Sequence, residues 1–195
     1  LATTGQQQNE VVESLENLID ELARWDHYRR FARELTQIQD EQQQLADATA
    51  QQAQRLLSRA AREPDAQAQA DLDKLSAQQH ELARRVDRIL SGMANMRDQI
   101  AAEQGDAANS LADALHEAGR LALSGRMREV AGQVARNQIG QAPAAQRQLA
   151  EDVEELINVL SNRPERELSR LVEKLRQAES DLADLQQQQQ GLRRK

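Results

Sequence analysis

Leu168-Ser-Arg-Leu171-Val-Glu-Lys-Leu175-Arg-Gln-Ala178-Glu-Ser-Asp-Leu182-Ala-Asp-Leu185-Gln-Gln-Gln-Gln189-Gln-Gly-Leu192 repeats an apolar seam in steps of three and four residues. That stride averages 3.5 residues, the period at which one helix keeps a single stripe against a neighbour. A seam of this regularity requires something to lie against, and it is still running when the sequence reaches Arg193, Arg194 and Lys195. The pattern predicts a heptad helix over 163–195 that continues into a longer protein. Leu168, Leu171, Leu175, Leu182, Leu185 and Leu192 are its interaction seam, the first half packing within the chain and the far end projecting onward.

The rest of the 195 residues agrees with that beginning. The hydrophobic fraction is 39%, but it is dominated by Ala, and there is one Trp, one Tyr and one Phe. A fully buried large side chain contributes roughly 1.5–3 kcal/mol, and Ala has little surface to bury. Thin helix-to-helix seams are therefore expected in place of a thick core, consistent with a mean hydropathy of −0.80. Ala, Gln, Glu, Arg and Leu are good helix formers, Gly and Pro number only 8 and 3, and no β-branched run alternates. The fold class read from these facts is all-α, an elongated array of antiparallel hairpins with about five helices.

Heptad runs and breaks divide the array. Helices over about 9–62 and 65–104 form a long hairpin (1–104), and helices over about 106–137 and 143–162 form a second (105–162). The heptad helix occupies 163–195. Leu15, Leu18, Leu22 and Trp25 make one run, the frame slips near Tyr28, and Phe31, Leu35 and Ile38 begin another. This second run continues through Gln42, Leu45, Thr49, Gln52 and Leu56, where polar seam residues weaken packing but set register. Unbroken, the first helix would measure roughly 80 Å. Pro64-Asp65 ends it, either as a hairpin turn or as a kink. Gly105 and Asp106 read as the cap pair between the second and third helices. Gly119, Gly125 and Gly132 in the third imply a close neighbour or a kink near Ser124-Gly125.

Three segments echo one another: Gln42-x-x-Leu45-Ala46, Gln79-x-x-Leu82-Ala83 and Gln146-x-x-Leu149-Ala150. Their unequal spacing excludes a solenoid of the usual periods, and they read as shared helix grammar in preference to duplication.

The residues that carry chemistry are few. The net charge of −7 is interleaved along the chain, so no concentrated basic face for nucleic acid emerges. Cysteine is absent, which removes thiol chemistry and disulfides. His80-Glu81 and His116-Glu117 begin like the zinc-protease motif His-Glu-x-x-His, but Arg84 and Arg120 occupy the second ligand position, where a cation repels a metal. No nucleophile elbow or phosphate loop is present. The reading is non-enzymatic, with no cofactor and no metal. Trp25, Tyr28 and Phe31 are the one candidate docking patch, set against the plainer reading that they fill the seam and span its frame slip.

The stretch from Leu121 to Ala142, with Met127, Ala131, Asn137, Gly140 and Ala142, followed by Gln146 and Leu149, resembles a helical hairpin of large, often membrane-anchored bacterial coiled-coil proteins. The flanking heptads are similar to those of chromosome-partition-type coiled coils. The resemblance implies that Ile139 and Ala142 pack into the turn and that Gly140 takes the left-handed conformation. It also implies a non-catalytic spacer or scaffold segment of a larger bacterial protein. Its partner would be protein, a second copy or the remaining part of the longer chain. No nucleic acid and no membrane insertion by this segment are expected, and the compartment stays open between cytoplasm and periplasm, with any membrane tether outside the segment. A signalling relay built on a bistable hairpin is the alternative.

Overall fold

The computed structural model describes the backbone of residues 2–58, 65–101, 105–162, 172–173 and 176–177. Side chains are described for 26–58, 65–101, 108–161, 172–173 and 176–177. No strand occurs among the described residues, and the fold is all-α. The helices are α1 (Ala2–Ser58), α2 (Ala66–Ile100), α3 (Gly105–Leu121), α4 (Leu123–Ala135) and α5 (Ala142–Asn162). α3 and α4 form one arm broken at a single residue, so the arms number four. The expected helix over 106–137 is thus two helices, and the expected helix over 163–195 falls outside the described residues.

The chain divides into two compact units, 1–30 together with 161–195, and 31–160. In the first, α1 is helical from Ala2, and Tyr28 is buried while Asp26, His27, Arg29 and Arg30 are exposed. The second is a bundle whose sequence neighbours run antiparallel. Gln42 and Gln79 bond across α1 and α2, as do Glu41 and Arg85, so these two helices lie antiparallel, while Pro64 falls outside the described residues. Ser76 Oγ donates to the Ala131 carbonyl at 2.9 Å, joining α2 to α4. Arg126 pairs with Asp152 between α4 and α5, and Arg120 reaches Glu155 at 3.0 Å between α3 and α5. Gln39 donates to Glu154 at 3.2 Å and Arg147 pairs with Asp47 at 3.3 Å, closing the ring between α5 and α1.

The interior follows the stride read from sequence. On α2 the buried residues include Ala68, Leu72, Leu75, Gln79, Leu82, Val86, Ile89, Met93, Met96 and Ile100, alternating in steps of four and three. α1 buries Leu35, Ile38, Gln42, Leu45, Thr49 and Gln52, and α5 buries Ala142, Gln146, Leu149, Val153, Leu156 and Leu160. This three-four stride puts one face of each helix into the bundle interior. α2 starts where Asp65 caps it, its carboxylate accepting from the Ala68 N–H at 2.8 Å. Pro143 sits in the first turn of α5, where its missing N–H is not needed. α2 ends at Ala101 in right-handed conformation and Gly105 already lies inside α3, so Gly105 and Asp106 do not form the expected cap pair.

Two local expectations are corrected. The interruption of the third arm falls at Ala122, in the left-handed region with φ 48°, and not at Ser124-Gly125. Its cause is a phase slip. Leu121 ends the buried stripe of α3 and Leu123 begins that of α4. In a continuous helix two residues rotate the stripe by about 200°, which would turn one of the two stripes to solvent. Breaking at the exposed Ala122 lets both face inward. Gly119 and Gly125 have open space where a Cβ would stand, so neither admits a close neighbour. At the end of α4 the left-handed residue is Asn137, φ 58°, and not Gly140. Its N–H bonds to the Val134 carbonyl and that of Gln138 to the Gln133 carbonyl, a Schellman pair. Asn stands directly after the last helical turn and tolerates this conformation, whereas Gly140 comes too late to serve. Ile139 and Ala142 are both buried at the turn.

Candidate functional site

The three echoed segments meet in the middle of the bundle. Gln42, Gln79 and Gln146 are each 0% exposed, from α1, α2 and α5. Gln42 Nε2 donates to Gln79 Oε1 at 3.1 Å, and Gln79 Nε2 returns a bond to Gln42 Oε1 at 2.8 Å. Gln146 Nε2 donates to the same Gln79 Oε1 at 2.9 Å. Gln79 is the hub, and one interior level of the bundle is polar. The Leu and Ala that follow each Gln are buried as well, Ala46, Ala83 and Ala150 at 1% exposure or less. Small residues beside the amides leave room for them inside an otherwise aliphatic seam.

α4 supplies a fourth copy that the sequence reading missed. Met127-x-x-Val130-Ala131 has the same spacing, and all three named residues are buried. The Ser76-to-Ala131 bond fixes α4 against α2 so that Met127 comes level with the glutamines. A thioether cannot donate a hydrogen bond. Gln146 Oε1, buried, accepts none. The layer is therefore three amides and one methionine, with one acceptor unmet on the helix that follows the methionine in the chain.

The ion pairs of the bundle lie outside this layer. Glu81 binds Arg84 at 2.6 Å and Arg88 at 3.0 Å, which holds its carboxyl below the ordinary carboxylate value, the Arg88 hydrogen bond contributing most. Glu117 is likewise lowered, chiefly by its hydrogen bond to Arg120, whose own pKa is raised by the same contact. These are the two His-Glu-x-x-Arg segments. The arginine that replaces the second histidine in each binds the motif's own glutamate. Among the described residues no three His, Asp or Glu side chains gather to hold a metal ion. A groove of about 350 Å³ between α1 and α2 is lined by Glu41, Gln44, Leu45, Ala48, Gln78, Glu81 and Leu82, and both its carboxylates are engaged by arginines. Asp152, buried beside Arg126, also accepts from Gln148 at 3.2 Å.

The residues singled out from sequence fall as follows. Leu168, Leu171, Leu175, Leu182, Leu185 and Leu192 lie outside the described residues, as does the side chain of Trp25. Tyr28 and Phe31 are 5% and 7% exposed, and a Cβ on Gly92 would stand 3.2 Å from Phe31 Cε1, so that glycine seats the ring. Among the described residues no helix is long and apolar enough to cross a membrane. No protein-family model matches the chain, and no curated protein or solved structure matches it either.

Proposed function

We propose that the chain is a non-catalytic structural or interaction segment of a larger bacterial protein, a helical spacer that holds protein-binding seams at a fixed axial position. The glutamine layer supports this reading. Sliding α1 by one heptad would bring Leu35 or Thr49 to the level of Gln79 and Gln146. Leu35 offers no hydrogen bond, and the Thr49 hydroxyl already donates to the Leu45 carbonyl at 2.8 Å. Each buried amide group left unmet costs roughly 1–3 kcal/mol, so the layer favours one register over its neighbours. A device with that property suits a ruler better than a relay.

The relay reading draws on the same seam, because Thr49 and Gln52 give α1 further buried polar positions at which a shifted state could settle. Cysteine crosslinking separates the two in a chain with no native cysteine. Asp47→Cys with Arg147→Cys joins residues that pair in this register. Asp40→Cys or Gln54→Cys with Arg147→Cys reports a one-heptad shift either way. A spacer crosslinks only the first pair, and efficient crosslinking of a shifted pair overturns that reading in favour of the relay. Native mass spectrometry showing a stoichiometric metal or organic cofactor would overturn both.

A further inference from the structure

We infer that α3 is a latched strap, which opens about Ala122 while α1, α2, α4 and α5 remain assembled. The inference does not depend on the spacer reading, because the glutamine layer lies on the α4 side of the break. Its first support is the poverty of the α3 seam. Among the described residues, α3 buries Ala108, Ser110, Leu111, Ala114, Ala118 and Leu121, whereas α4 buries Leu123, Met127, Val130, Ala131 and Val134. Alanine removes little surface from water, so α3 adheres to α2 more weakly per turn than α4 does. What it packs against is a run of large side chains. α4 meets α2 in antiparallel sense at Ser76 and Ala131 and at Asp87 and Arg128, and α3 packs on α2 beyond them, toward the turns that carry Met93, Met96 and Ile100.

The second support is the junction itself. Ala122 is an L residue in the left-handed region, a conformation that L side chains disfavour. A polar clamp holds that turn. Arg126 donates to the Leu121 carbonyl at 3.2 Å, at the last residue of α3, and pairs with the buried Asp152 of α5. Arg120, the residue before Leu121, is shared between Glu117 of α3 and Glu155 of α5. Two arginine–carboxylate pairs thus meet at the hinge end, Arg120 with Glu155 tying α3 to α5, and Arg126 with Asp152 fixing on α5 the side chain that holds the Leu121 carbonyl. Opening the strap uncovers Met93, Met96 and Ile100, an apolar face containing two adaptable methionines.

Hydrogen exchange by mass spectrometry on the full chain is the test. In the native protein, amides of 108–121 should exchange at least about tenfold faster than those of 127–134, as expected of a low-stability cooperative unit. Asp152→Asn should speed exchange in 108–121 by a further factor of about five, leaving 79–86 and 127–134 unchanged. Glu155→Gln, a change at an exposed position that does not endanger folding, should give a factor of about two in the same segment only. Equal protection of α3 and α4 would overturn the proposal. So would rates that rise together in every helix, or rates in 108–121 that neither variant alters.

Discussion

Replacing Met127 with glutamine should be far better tolerated than a buried methionine-to-amide change normally is. Met127 and Met93 are both 0% exposed. Losing a fully buried Met side chain forfeits roughly 1.5–3 kcal/mol of burial. An unpartnered amide in its place adds roughly 1–3 kcal/mol, so Met93→Gln on α2 should destabilise by about 4 kcal/mol. At Met127 the new Nε2 enters the glutamine level, where Gln146 Oε1 accepts from nothing. One bond then relieves two penalties, that of the incoming amide and that of the existing orphan, and the net loss should fall to about 1 kcal/mol. Urea unfolding followed by circular dichroism gives both values, and the gap of about 3 kcal/mol is robust to shared errors of extrapolation. A cycle with Gln146→Met isolates the pair, and the benefit at Met127 should vanish in that background. If Met127→Gln were as damaging as Met93→Gln, Met127 would not belong to the layer and the fourfold reading would fail.

Gln79→Leu removes the hub and strands the amides of Gln42 and Gln146 together, so a loss of about 3–5 kcal/mol is expected in the same unfolding assay. Replacing Gln42, Gln79 and Gln146 by Leu at once should instead preserve or raise stability while allowing the shifted Gln54→Cys/Arg147→Cys pair to crosslink, since nothing then distinguishes the registers. Ala122→Gly relieves a left-handed alanine and should stabilise by about 0.5–1 kcal/mol, measured as a rise in the unfolding midpoint, whereas Ala122→Val should lower it. The arginines beside Glu81 and Glu117 hold their folded pKa values below the ordinary value of an unfolded glutamate. Their contribution is therefore fully present above that value and is lost as pH falls through the lower folded values. The double variant Glu81→Gln/Glu117→Gln should flatten the acid limb of the midpoint-against-pH curve and leave neutral pH little changed, with both effects muted in high salt.

The helical arms were legible because a three-four stride of Leu, Ile, Val and Met admits one face only, and α2 and α5 follow it without a fault. Ala122 was illegible by residue type. Alanine is the best helix former, and the nearby glycines drew attention to Ser124-Gly125 instead. The readable sign was the two-residue step from Leu121 to Leu123, which no unbroken helix can place on one face. Glycine is the commoner left-handed residue, so residue type points to Gly140, although Asn137 stands directly after the last turn. The glutamine layer shows the limit of hydropathy most clearly. Gln reads as surface in any scale, yet Gln42, Gln79 and Gln146 fall on the stride and each precedes a buried Leu and Ala at constant spacing. That echo was visible, but its fourth member was hidden by the change from Gln to Met, a substitution that keeps shape and discards the hydrogen bonds.

Three glutamine side chains hydrogen-bond to one another in the interior of the bundle. Nuclear magnetic resonance of their side-chain amides tests it directly. The Gln79 amide should show nuclear Overhauser contacts to those of both Gln42 and Gln146, with Nε2 protons that exchange with water far more slowly than those of exposed Gln43. Side-chain amides of Gln42, Gln79 and Gln146 exchanging as fast as that of Gln43, with no contacts among them, would contradict it.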